Sequence, residues 1–363
     1  MKRCDHTHWL CLCSQSRNTG LVVSDRLQNI INHIPNPDIQ RPSLIVLIGN
    51  TAKLVALQEL FGVKRTRKLT TKRNVGEIHL HVDPSSVFHR RPLLIADGDL
   101  PSKGLRTKIP TYKCHEVTTR TVQRTNECSR FDEVATGIYA QLLFPFTDVF
   151  CFFADDLGGF KQVARHLAAW LEQCHPSTLP RSTRPRVAIV TEKIPPGAET
   201  EKEARKAFLW LLSEETKRDL FDQISAIDII ALFPAGLISV DARHRLLKER
   251  IMSGSDQVRK NREDTRWLFS MVHLAAFLKN ACEHFVQTAE EPFNFIKASR
   301  VDNPVAADLE EHISNFLKHI KSSGVLTEFA APIIGSSLFL DNYPPNSHRK
   351  LALFTYSRNL TIA

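Results

Sequence analysis

Residues 42–62 read PSLIVLIGNTAKLVALQELFG, and the fold turns on how this stretch is read. From 43 to 48, Ser, Leu, Ile and Val run without alternation, the composition of a strand buried on both faces of a parallel sheet. Gly49, Asn50 and Thr51 break that run. Leu54, Val55, Leu57, Leu60 and Phe61 then fall at helical spacing, and Gly62 stands where a C-cap glycine would. Strand, glycine turn and helix make the layout of a phosphate-binding loop, in which backbone N–H groups at a helix N-terminus hold an anion.

The side chains do not complete that loop. The P-loop pattern is GxxxxGK[ST]. Counted from Gly49, its later glycine, lysine and hydroxyl positions hold Leu54, Val55 and Ala56. A loop about two residues shorter than the pattern places Lys53 at the phosphate lysine. Leu54 then replaces the hydroxyl that holds magnesium. Three readings stay open: an ordinary βα turn with Lys53 on the first turn of a surface helix, a working nucleotide site, or a weak anion or nucleotide site. Gly49, Asn50, Thr51 and Lys53 are the candidate contacts, with GTP and Mg2+ as the matching ligands.

The remaining segments set the architecture. Residues 21–34 have helical spacing and stop at Pro35-Asn36-Pro37. The basic, Thr-rich 63–74 lies where a first switch loop would, with Thr66, Thr70 and Thr71 as candidates and Thr70 taken into the site. A solvated loop is the plainer reading. Residues 76–83, GEIHLHVD, alternate like a half-exposed strand, with His79 and His81 facing solvent. Residues 91–99 form a buried strand ending in acids, and Asp97 takes the position of a metal-side aspartate or of a simple Asp-Gly-Asp turn. Residues 101–130 read as a polar insertion in which Cys114, His115 and Cys128 are too loosely spaced for a metal site.

Buried strands follow at 148–154, with Cys151 as a core thiol, at 186–190 and at 224–233; helices fall at 131–144, 160–173 and 199–213. The strand at 186–190 ends in Thr191-Glu192-Lys193, without the Asn and Asp of NKxD, so guanine specificity has no support. The order predicts an α/β fold: a doubly wound, mostly parallel sheet with one antiparallel edge strand, as in small GTPases, followed by a smaller all-helical domain. No GxGxxG follows the first strand, which removes a dinucleotide fold.

The chain opens with CDHTHWLCLC, and Cys4, His6, His8, Cys11 and Cys13 are dense enough in thiol and imidazole to hold zinc. A disordered Cys/His-rich terminus explains the same residues. From about 240 the pattern is helical, at 240–252, 264–288, 304–321 and 325–340, until Pro344-Pro345. The expected divisions are a Cys/His-rich segment at 1–20, the α/β domain at 21–238, the helical domain at 239–345 and a tail at 346–363.

With 363 residues, 42% hydrophobic and 24% charged, the chain has the composition of a globular protein with a large core. A net charge of +9 permits contact with anionic lipid, but no aromatic-interleaved basic groove points to nucleic acid. No run of roughly 18 apolar residues and no signal-peptide core are found, which predicts a cytoplasmic protein with reduced thiols.

Several runs carry a family likeness: IGNTAKLVALQELFG, LLIADGDLP, DVFCFFADDLGGFKQVARHLAAWL, RVAIVTE and SSLFLDNYPPNSH. Together they resemble the N-terminal, GTPase-like region of large fungal patatin-like phospholipase proteins, over roughly residues 4–348. The resemblance implies a regulatory or interaction module with protein partners, placed ahead of a lipase domain. The GxSxG nucleophile elbow of such a domain does not occur here, and Gly335-Ser336-Ser337 is not one. The residues after His348 do not match the family's continuation, as expected of a truncated product. The expected function is therefore a non-catalytic GTPase-like module, against a weak nucleotide binder using Lys53 and Asp97 or a helical partner-binding scaffold.

Overall fold

The computed structural model describes residues 6–15, 18–61, 76–100, 116–123, 131–173, 178–233, 236–288, 291–300 and 308–341. The chain divides into two compact units, Met1–Phe293 and Asn294–Ala363. The first is built on one sheet of nine strands: β1 His8–Gln15, β2 Asn18–Ser24, β3 Ser43–Ile48, β4 Ile78–Val82, β5 Leu93–Gly98, β6 Val117–Thr121, β7 Val149–Phe153, β8 Arg186–Thr191 and β9 Ala226–Ala231. Their order is β6-β2-β1-β4-β5-β3-β7-β8-β9. From β5 to β9 neighbours run parallel, and β4 pairs antiparallel to β5.

Helices α1 (Arg26–Ile31), α2 (Thr51–Phe61), α3 (Phe131–Gly137), α4 (Phe160–Gln173), α5 (Glu201–Glu215), α6 (Val240–Asp264) and α7 (Met271–Gln287) complete this unit. The period-2 alternation of the strands sorts their side chains. Ile45, Leu47, Ile95, Val149, Cys151, Phe153, Ala188 and Val190 share one core with Leu57, Leu60 and Phe61 of α2 and Leu247 and Ile251 of α6. Phe150 and Phe152 point the other way, with rings 5.2 and 5.0 Å from Trp170 of α4. Tyr139, in the π turn after α3, stacks on the same indole at 5.5 Å. Cys151 is fully buried, and burial pushes its thiol far above the usual range.

The sheet is larger than the sequence pattern indicates, and this corrects three expectations. Within the Cys/His-rich terminus, His8–Gln15 form strand β1. Residues 18–24, read as the start of a helix, pair with β1 in a hairpin whose register matches Leu12 to Leu21 and Cys13 to Gly20. Leu21, Val22 and Val23 favour a strand, and the helix begins only after Asp25. Residues 117–121, placed in a polar insertion, form edge strand β6 on β2. In consequence β4 is interior, not an edge, so His81 is 4% exposed and its ring lies 3.7 Å from an Asp97 carboxylate oxygen.

Helix α6 also departs from expectation. It runs to Asp264 instead of ending near 252, and it belongs to the first unit. Gly254 and Ser255 lie inside it. Its far half meets the N-terminal ends of the parallel strands. There the buried Arg262 donates to Asp148 Oδ1 at 2.7 Å and to the carbonyls of Thr147 and Thr183 at 2.8 and 3.1 Å. Ser255 Oγ donates to Asp148 Oδ2 at 2.8 Å, and Arg91 bonds Ser255, Ser43 and Asp256. Burial lowers the guanidinium pKa of Arg262 and Asp148 opposes that shift, so the cation stays charged.

The second unit comprises α8 (Phe295–Ser299), α9 (Leu309–Lys318), α10 (Ser323–Val325), a π turn at Leu326–Ala330 and α11 (Ala331–Asp341). No helix among the described residues is long and apolar enough to cross a membrane.

Candidate functional site

Open α/β sheets hold ligands outside the carboxyl ends of their strands, where neighbouring connections leave in opposite directions. Here that place lies between β3 and β7. From β3 the chain passes through α2 toward β4 and β5; from β7 it passes through α4 to β8, on the other side. The expected phosphate loop, Gly49 to Lys53, borders this crevice.

The loop's donors are already in use. Asp156, in the turn after β7, accepts from Asn50 N at 2.7 Å, from Ala52 N at 3.0 Å and from Lys53 N at 3.0 Å. These are the first N–H groups of α2, the ones left without partners inside a helix. A carboxylate there satisfies them and meets the positive end of the helix dipole. The side chain thus sits where a phosphate would. Gly49 makes the approach possible: its φ is +153°, and a Cβ on it would lie 2.7 Å from Asp156 Oδ2 and 2.9 Å from Phe153 Cβ. Asn50 and Thr51 are exposed at the rim.

Lys53 corrects the expectation of a surface residue. Its side chain is fully buried and turned toward the end of β5. The ammonium lies 2.8 Å from Asp97 Oδ1, donates to Gly98 O at 3.0 Å and bonds the Asp99 carboxylate. Three oxygens surround a group with three donors. Asp97 and Gly98 are still strand residues, in register with Leu47 and Ile48, so the acids are held by the ladder and not by a turn. Tyr139 closes the cluster from the other face. Its hydroxyl donates to Asp99 O at 3.2 Å, and a Cβ on Gly98 would lie 2.1 Å from the Tyr139 hydroxyl oxygen. Burial, with Asp99 and Asp97 nearby, raises the Tyr139 pKa well above its usual value, which keeps the phenol protonated as that donor.

Asp155 secures the next loop. Its Oδ2 accepts from Glu192 N at 2.7 Å, beside Thr191, where the base-reading loop was sought. Asp97 and Asp99 thus hold the Lys53 ammonium, while Asp156 and Asp155 hold backbone N–H groups of the loops after β3 and β8. Gly49 and Asn50 lie against the Asp156 carboxylate, and the Lys53 side chain pairs with Asp97. Thr70 lies outside the described residues. Asp155 and Asp156 are not among the sequence-based candidates; their signal is a pair of acids directly after a buried strand and before Gly158-Gly159.

The N-terminal metal candidates are distributed differently. Cys11 and Cys13 are buried beside Val22 and Val117. Burial raises the Cys13 thiol pKa. The His8 ring packs against His79, centroids 6.2 Å apart, and His6 precedes β1. Cys4 lies outside the described residues. Among the described residues no three His, Cys, Asp or Glu side chains converge as a metal site.

No family model and no curated protein matches the chain. Two solved structures are similar to it at 11% identity. One is a dimerization-deficient mutant of Toc33 from Arabidopsis thaliana, with a TM-score of 0.34, covering 65% of this chain and 91% of that one. The other is an ADP-ribosylation factor-like GTP-binding protein, small COPII coat GTPase SAR1, from Encephalitozoon cuniculi in complex with GDP. Its TM-score is 0.31, covering 66% of this chain and 90% of that one. At these scores neither likeness bears on the fold, which strand order and register define.

Proposed function

We propose that this chain is a non-catalytic, GTPase-like regulatory or interaction module whose phosphate crevice is filled by its own side chains. The observation that carries the reading is the Asp156 carboxylate on the three N–H groups of Asn50, Ala52 and Lys53. Lys53 supports it, being spent on Asp97, Asp99 and Gly98. A phosphate approaching the loop meets the Asp156 carboxylate on its donors, and two like charges about 4 Å apart repel by about 4 kcal/mol at an effective dielectric near 20. On this reading the fold keeps its loops ordered without a nucleotide and acts by presenting surfaces to protein partners. The resemblance to the region ahead of fungal patatin-like lipase domains fits such a role, because this chain contains no GxSxG elbow.

A second reading is a weak nucleotide site that opens by expelling Asp156. It is favoured by one observation: Lys53 and Asp97 lie together at the crevice, 2.8 Å apart. A fluorescent GTP analogue, titrated to millimolar protein with and without Mg2+, separates the two. The expected result is no saturable binding and no turnover. Micromolar, magnesium-dependent binding by the wild-type chain sinks the first reading and establishes the second.

A further inference from the structure

Helix α6 packs over β3, β7 and β8 and leaves edge strand β9 at its flank. A cavity of about 220 Å³ opens there, between α6 and the β8–β9 pair. Its floor is apolar: Val149, Ala188, Ile230 and Ile251 are all buried. The helix is fastened on both sides of it. One turn past the cavity Asn261 Nδ2 donates to Ser182 O at 2.8 Å, and at the other end Arg250 pairs with Glu201 at 2.9 Å.

A charged pair is set into the lining. Asp228 interrupts the apolar run of β9, AIDIIA, and the alternation of the strand turns it to the same face as Ile230. Arg186 donates to it from Nε at 3.1 Å and from Nη2 at 2.7 Å, both to Oδ2. Among the described residues, Arg186 Nη1 and Asp228 Oδ1 make no other bond. A donor and an acceptor of opposite charge therefore remain side by side. Gly254 of α6 faces this pair. An alanine there would fit, with its Cβ 3.5 Å from Arg186 Cδ and 3.6 Å from Val149 Cγ2. Packing does not demand a glycine, which weakens a helix interior relative to alanine, and its presence keeps the cavity open.

The charges select the class of ligand. Arg186 is matched by Asp228 and Arg250 by Glu201, so the lining is dipolar but neutral. A net anion meets Asp228 and a net cation meets Arg186. A zwitterion satisfies both, with its carboxylate on the guanidinium and its ammonium on the acid. No aromatic side chain lines the cavity among the described residues, so a nucleobase or sugar ring has nothing to stack on. The volume equals about seven waters at roughly 30 Å³ each, the bulk of a small amino acid. Such a molecule carries its ammonium and carboxylate on one carbon, and the apolar floor takes an aliphatic side chain.

We propose that the cavity between α6 and β8–β9 binds a free α-amino acid with an aliphatic side chain, its carboxylate on Arg186 and its ammonium on Asp228. The proposal is independent of what the crevice between β3 and β7 does.

The test is calorimetric titration of the full chain with L-valine, N-acetyl-L-valine, L-valinamide and inorganic phosphate. Saturable binding is expected for L-valine alone, since each derivative lacks one of its two charges. Asp228→Asn keeps the shape of the acid and removes its charge, and should bind L-valine about tenfold more weakly. Gly254→Leu leaves the ion pair in place and fills the cavity, and should not bind; it decides the matter where Asp228→Asn does not fold. No saturable heat with L-valine up to its solubility limit overturns the proposal. Equal binding of valinamide or acetylvaline overturns the zwitterion, and saturation by phosphate instead of valine makes this an anion site. Undiminished valine binding by Gly254→Leu, or by a folded Asp228→Asn, places the ligand elsewhere and overturns the assignment.

Discussion

The two ends of the parallel sheet are built from the same materials and do different things with them. Each end buries a cation against carboxylates. At the N-terminal end, Arg262 and Asp148 are joined by Ser255, Arg91 and backbone carbonyls, and the network fastens α6 to the starts of β3, β7 and β8. It occupies no place where a ligand is expected. At the C-terminal end, Asp156 takes the position that a phosphate loop reserves for its ligand, and Lys53, at the place of the loop's lysine, is paired with Asp97. Position in the fold, not residue type, separates a structural clasp from a closed site.

The comparison is sharpest at its most buried member. Arg262→Met leaves Asp148, 1% exposed, without its cation, and breaking a buried pair from one side costs about 3–5 kcal/mol. Urea unfolding should show that loss, and Arg262→Met combined with Asp148→Leu should recover much of it, because two well-packed apolar residues leave no stranded charge. A double variant as unstable as the single one shows the network's carbonyl contacts, not the pair, to be what matters.

Lys53→Met is the counterpart at the other end. It strands Asp97, which is fully buried, but Asp99 is 21% exposed and turns to water. The expected cost is about 3 kcal/mol, the lower edge of the same range. A loss larger than that of Arg262→Met reverses the ranking and makes the crevice the stronger clasp.

How much of this was visible beforehand follows from how local each feature is. The strands at 43–48, 93–98, 149–153 and 186–191 are legible because burial on both faces writes itself as unbroken apolar runs. Strand β6, VTTRT, carries no such run; it exists because β2 offers an edge, a non-local fact. Lys53 and Asp97 could be named as candidates, since strand ends are readable. Their pairing is not legible, because only the sheet sets the end of β5 beside α2, and neither is the Asp156 cap, which comes from more than a hundred positions beyond Asn50.

Gly49→Ala tests the closeness of that fold-back. A methyl group there meets Asp156 and Phe153 inside 3.0 Å, at a φ that L-residues rarely adopt. The expected cost is about 2 kcal/mol. Combined with Asp156→Ala the penalty should shrink, because one of the two obstacles is gone. Strict additivity in urea unfolding shows that backbone strain alone sets the cost and that the carboxylate does not crowd the loop.

Asp156→Ala is the mildest change in stability and the most telling. Removing a carboxylate that caps a helix N-terminus costs about 1 kcal/mol, less than any of the others. It also uncovers the N–H groups of Asn50, Ala52 and Lys53, which then need an anion or water. Inorganic phosphate binds the native state of such a variant and raises its melting temperature by mass action, while leaving wild type unmoved. Arg262→Ala is the control: it unfastens the other end and creates no donor nest, so phosphate has nothing to satisfy there. A phosphate-dependent rise in Asp156→Ala alone means that the two ends differ in kind, one a clasp and one a ligand site held by a resident carboxylate. Equal responses in all three proteins mean that the crevice is a clasp as well, and that its likeness to a phosphate loop ends at the backbone.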